Sequence, residues 1–134
     1  MKKCKITIDK IIFEVVLFNS PTANEIWNSL PISSNIKIWG KEIYFYTDVV
    51  AKKEPDAKSI IELGEIAYWP TGKAIAIGFG KTPISQKDEI RLADDCNIWG
   101  ETKFDLKKLE NIAEGQPIKI EKIVQLINLK FLKN

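Results

Sequence analysis

The chain has 134 residues, 45% hydrophobic and 28% charged, with a net charge of +2. That length suits one domain able to bury roughly two-thirds of its unfolded surface without disulfides or metal. The weak net charge argues against a nucleic-acid binder. The absence of histidine excludes catalytic triads and, with only Cys4 and Cys96 as thiols, ordinary zinc sites. No metal and no cofactor is expected.

The opening residues, MKKCKITIDK, contain no apolar run of signal-peptide length. No stretch approaches the roughly 18 apolar residues of a membrane span. The reading is a cytoplasmic protein with two free thiols and no membrane partner. Residues 4–9 alternate apolar and polar, as a strand with one wet face does. After a turn at Asp9 and Lys10, IIFEVVLF is apolar on both faces apart from Glu14, which predicts cover on each side. Residues 20–30 read as a helix. Ser20 caps it, Pro21 takes the first position, and Thr22 with Glu25 offers an alternative capping box. Ala23, Ile26, Trp27 and Leu30 form its apolar stripe, and Pro31 stops it.

IKIWG and EIYFYT are strands joined at Gly40 and Lys41, and residues 48–59 read as a polar loop. EIAYWP and KAIAIGF form a hairpin around Pro70 to Lys73. A long connection follows, with one short strand at Ile90 to Leu92, and CNIWGE is a further strand. Asp105 caps a second short helix that buries Leu106, Leu109 and Ile112 and ends at Gly115. PIKIEKI is the last regular strand. About eight short strands with two short helices give a mainly β fold, a closed barrel with helices capping its ends. Residues 1–122 form the barrel. Residues 123–134 are an apolar extension that needs cover, on its own barrel or as a homodimer contact.

Gly80-Lys81-Thr82 is the tail of a phosphate-binding loop, but the first glycine of that motif would fall at position 75, which is Ile75. Pro83 then replaces the expected helix. The glycines have a strand explanation instead. Alternation puts Ala74, Ala76, Gly78 and Gly80 on one side and Ile75, Ile77 and Phe79 on the other. The small side is either filled by large neighbours or left as a pocket.

The ordered motifs WGKEIYF, GEIAYWP, FGKTPIS and NIWG resemble those of small prokaryotic cyclophilin-like proteins that consist of this barrel alone. Lys41 and Glu65 stand where that pattern has aspartate. The resemblance implies an eight-stranded cyclophilin-like barrel with helices at its ends, and a role that the fold alone does not assign. True cyclophilins align an arginine, a glutamine, aromatics and a histidine on one barrel face. Here there is no histidine, and the single arginine, Arg91, lies in a different segment.

Three functions stay open. The first is a pocket for a small molecule or peptide segment, walled by Tyr44, Tyr68, Trp69 and Phe79, with Glu42, Thr82, Arg91 and Asn97 as polar contacts. The second is a weak prolyl isomerase, which needs a basic donor beside an apolar pocket. The third is an enzyme using Glu42 or Glu65 as base, or both around a cation, which needs the two carboxylates to converge.

Overall fold

The structure is a computed structural model that describes residues 1–124. The element order is β1 (Lys3–Ile8), β2 (Ile11–Leu17), α1 (Pro21–Ser29), β3 (Ile32–Asn35), β4 (Lys37–Ile38), β5 (Glu42–Tyr46), β6 (Lys58–Ile61), β7 (Glu65–Trp69), β8 (Ala74–Gly78), β9 (Ile90–Glu101), a 3₁₀ turn (Leu106–Leu109) and β10 (Pro117–Lys122). Most of the apolar extension, with its suggested homodimer contact, lies outside the described residues.

The strands follow one another as β3-β10-β1-β2-β9-β7-β8-β5-β4, every pair antiparallel. The two ends of that path, β3 and β4, are separated by Ile36 alone. The first pairs with β10 and the second with β5. One bent segment therefore occupies both edges and nearly closes the sheet into a barrel, leaving eight strand positions around the wall. Closure removes the unpaired edges that an open sheet would expose. Inside, Ile6, Ile8, Val15, Ile43, Phe45, Ile66, Tyr68, Ile75, Ile77 and Trp99 belong to one core.

The elements follow from local chemistry. Asp9 adopts a positive φ of 53° in the β1–β2 turn, a conformation that aspartate tolerates better than most residues. In α1, the Ser20 hydroxyl accepts a hydrogen bond from the Ala23 N–H at 3.2 Å, and Pro21 fills the first turn. Ala23 and Ile26 reach the barrel core, and Trp27 packs partly buried against it. The ammonium groups of Lys2 and Lys122 lie 5.5 and 4.9 Å from the Trp27 ring centre, so that ring packs against the protein itself.

Four sequence expectations change. Among the described residues the outer face of β2 has no covering layer, and Ile12 is 58% exposed. The loop expected over 48–59 gives way to β6 at Lys58, which joins the sheet only through β9. The short strand at 90–92 and the strand from Cys96 are one element, β9, with a register break against β6 that throws out the residues around Asp94. The second helix is a four-residue 3₁₀ turn, capped by the Asp105 side chain accepting from the Lys107 N–H at 3.2 Å.

One end of the barrel is tied by a buried polar cluster. Asn97 is 1% exposed and Thr22 fully buried. The Asn97 amide donates to Thr22 Oγ1 and to the Lys52 carbonyl, both at 2.8 Å, and its oxygen accepts from the Glu54 N–H at 2.8 Å. Thr22 in turn donates to the Glu54 carboxylate. Thus β9, α1 and the 48–57 loop share one network, in which every lost partner orphans a desolvated group. Asn97→Ala should lower unfolding free energy in urea by about 2–4 kcal/mol and Thr22→Ala by less, with the double variant costing less than the sum. Additive losses would show that the two residues act independently.

Candidate functional site

Strand β8 is buried along its whole length. Its period of two sends Ile75 and Ile77 into the barrel and Ala74 and Ala76 to the outside. An outer layer covers that outside: Ile61, Ile90, Leu92 and Cys96, from β6 and β9, pack over Ala67 and Ala76. At Gly78 the layer is so close that a Cβ would stand 2.6 Å from Ile90 Cγ2. Beside Ala74 and Ala76 the small side chains leave a hollow of about 350 Å³. This lies within the size range of small-molecule sites.

The hollow is aromatic. Trp39, Tyr44, Tyr46 and Trp69 line it, together with the β9 residues Leu92 to Asp94. The Tyr44 and Tyr46 rings meet edge to face, 5.9 Å apart at 89°. The Trp69 indole N–H donates to Asp94 Oδ2 at 3.1 Å, which holds the Asp94 carboxyl below the usual aspartate range. The turn after β7 needs glycine at 72 because a Cβ there would fall 2.3 Å from the Trp69 ring. Ala74, Ala76 and Cys96 are buried and form the base of the hollow.

Glu42 also lines this space. It is only 6% exposed, and its Oε1 has no hydrogen-bond partner. Burial raises its pKa from 4.5 to about 7. Burial also raises the Cys96 thiol to about 12, with Glu42 and Asp94 adding to the effect. Cys96 therefore stays protonated at neutral pH and serves packing, not nucleophilic chemistry.

Of the expected site residues, the structure brings together Glu42, Tyr44 and Trp69. The others lie elsewhere. Tyr68 faces the barrel interior, fully buried, with its hydroxyl donating to the Val49 carbonyl at 2.5 Å. Phe79 belongs to the same core. Thr82 donates to the Arg91 carbonyl and so accepts from the Ser85 hydroxyl, which itself accepts from the Arg91 N–H at 3.3 Å. The segment FGKTPIS is thus a clip that starts β9. Arg91 holds Glu89 through Nε at 2.6 Å and Nη2 at 3.2 Å, which depresses the Glu89 pKa. Asn97 belongs to the polar cluster described above. Glu65 takes Lys58 Nζ at 2.9 Å and the Glu62 N–H at 2.6 Å, so its carboxylate is already engaged, and it is not among the residues that line the hollow with Glu42. Among the described residues no group of three or more acidic or sulfur ligands could hold a metal ion, and no helix is long and apolar enough to cross a membrane.

Tyr46, Trp39, Asp94 and the two alanines complete the site. Alternation from Glu42 through Tyr44 carries a signal for Tyr46, and the small face of β8 carries one for Ala74 and Ala76. Nothing in the local pattern marks Asp94, because the break in β9 places it.

The buried carboxyl has a consequence for stability. Its folded-state pKa lies above the unfolded value, so the native state binds the proton more tightly. The penalty is absent below about pH 4.5, grows as pH rises, and is complete above about pH 7. Glu42→Gln should match wild type near pH 4 and exceed it at pH 8 by about 3 kcal/mol in urea unfolding. Equal pH dependence of the two proteins would show that Glu42 is well solvated.

Residues 2–121 match the Cyclophilin-like family. Among solved structures, the chain is similar to a hypothetical protein from Archaeoglobus fulgidus, known by its solution structure. The two are 38% identical, with a TM-score of 0.77 over 91% of this chain and 95% of that one. Among curated proteins none matches the sequence. The motif order, the nearly closed eight-position barrel and these matches agree, and the chain belongs to the cyclophilin-like family.

Proposed function

We propose that this protein is a binding barrel whose ligand, a small molecule or a segment of peptide, enters the hollow between the outer face of β5, β7 and β8 and the covering part of β9. One observation carries this reading: four aromatic side chains line the same hollow as Glu42, a buried carboxyl with one oxygen left without a partner among the described residues. An orphaned buried polar atom costs about 1–3 kcal/mol, and a ligand donor recovers part of that cost. Rigid aromatic walls supply contact area at little cost in conformational entropy.

The prolyl isomerase alternative finds no donor among the described residues, because no lysine or arginine of theirs lines the hollow and the Arg91 guanidinium holds Glu89. The glutamate enzyme alternative keeps one base, Glu42, without a second carboxylate from Glu65. The free buried thiols of Cys4 and Cys96 fit a reducing compartment, and we place the protein in the cytoplasm on that ground.

A fragment titration followed by the tryptophan indole resonances tests the binding reading. Bound fragments should move the Trp39 and Trp69 signals and leave Trp99, which is fully buried and donates to the Ala67 carbonyl, in place. Ala93→Phe, at an exposed position on the pocket lining, should weaken the same fragments at least tenfold. Fragments that ignore this plug, or that move Trp27 instead, would contradict the reading. Wild type should leave the exchange of prolyl peptides at its spontaneous rate of tens to hundreds of seconds, whereas acceleration would restore the isomerase alternative.

A further inference from the structure

We infer that the ligand of this pocket presents an organic cation, an alkylammonium group seated among Trp39, Tyr44, Tyr46 and Trp69 with the Glu42 carboxylate as its counter-ion. The inference rests on the binding reading above and specifies the chemistry of the occupant.

Three observations point the same way. Among the described residues, the charged side chains that line the hollow are both acidic, the buried Glu42 and the exposed Asp94. A phosphate or carboxylate ligand would meet like charge there and no cation. Next, Glu42 is more than nine-tenths buried, its Oε1 is unpartnered, and the residue lines the pocket. A desolvated carboxylate is stable only when paired, and among the described residues no cation pairs with it: the ammonium of Lys41, its chain neighbour, lies 3.4 Å from Glu110. Finally, the walls are tryptophan and tyrosine, whose ring faces attract cations by about 0.5–1 kcal/mol when exposed and about 2 kcal/mol or more when desolvated. A neutral apolar ligand would use the walls but would leave Glu42 orphaned.

The groups that face Glu42 fix how pH enters. From β5 they are the Tyr44 and Tyr46 phenols. From β9 they are the Cys96 thiol and the Asp94 carboxylate, with Asp95 further out. From β8 they are Gly78 and the alanines, none of which titrates. None of these carries positive charge. A bound cation favours the ionised carboxyl, so binding releases a proton below neutral pH. With Glu42 titrating at about 7, affinity should rise about tenfold from pH 6 to pH 8 and then level off.

The test compares choline with its neutral carbon isostere, 3,3-dimethylbutan-1-ol, by the Trp39 and Trp69 indole resonances. Choline should bind at least tenfold more tightly at pH 8. Glu42→Gln should remove that preference and the pH dependence while leaving the spectrum dispersed. Tyr44→Leu, which keeps an apolar wall, should weaken choline more than the alcohol. A short trimethyl-lysine peptide included beside choline separates the sources of the cation. Tighter binding of the peptide assigns the cation to a protein segment, and tighter binding of choline to a free metabolite. Equal binding of choline and the alcohol at these tryptophans would overturn the cation and leave the pocket standing. If neither binds, the inference falls, and the fragment titration separately decides whether the pocket binds anything.

Discussion

Burial of β8 on both faces is the constraint from which the rest of the molecule follows. A strand with only one covered face would need side chains alternating between apolar and polar. This strand has isoleucines inward and alanines outward, so it requires a layer on its outer side as well. That layer is β6 with the first part of β9, which leaves the barrel wall and folds across it. Where the layer meets Gly78 it is in contact. Where it passes the alanines and breaks register near Asp94, it stands off, and the hollow is the remaining space. The same choice of small residues that makes the strand fit under its cover creates the site.

Glu42 sits in this space at a cost. It lies opposite Gly78 on the adjacent strand, inside the covered region, where a glutamine or an aliphatic residue would fold at least as well. Natural chains break such a local rule most often where they bind or react. The rest of the charged constellation is satisfied internally: Arg91 by Glu89, Glu65 by Lys58, Lys53 by Asp95. The contrast between these filled pairs and one unfilled buried oxygen singles out the pocket from other concave surfaces, such as the larger groove beside β3 and β10.

Much of the fold was legible in the sequence because its signals are local. Alternation placed β1, β5, β7 and β8, and Ser20 with Pro21 marked the start of α1. The ordered motifs from WGKEIYF to NIWG pointed to the family. β6 was hidden because its four residues pair only with a distant strand and follow a polar, proline-containing loop. At the site, Glu42, Tyr44 and Trp69 were readable as strand residues beside a small-residue face. Tyr68 and Phe79 are equally aromatic, and alternation alone does not say which face of a barrel wall is the inside. Arg91, Thr82 and Asn97 looked like ligand contacts because their types are versatile. Their partners, Glu89, the β9 backbone and the Thr22 cluster, are set by tertiary geometry.

The site and the stability of the protein thus meet in one side chain. A carbon-13 titration of the glutamate side-chain carboxyls, assigned with Glu42→Gln, measures it directly. A Glu42 midpoint near pH 7 would establish a desolvated, unpaired carboxyl poised for a partner. A midpoint in the ordinary range of about 4 to 4.5 would mean that water or a donor already satisfies it, and the pocket would lose the feature that distinguishes it.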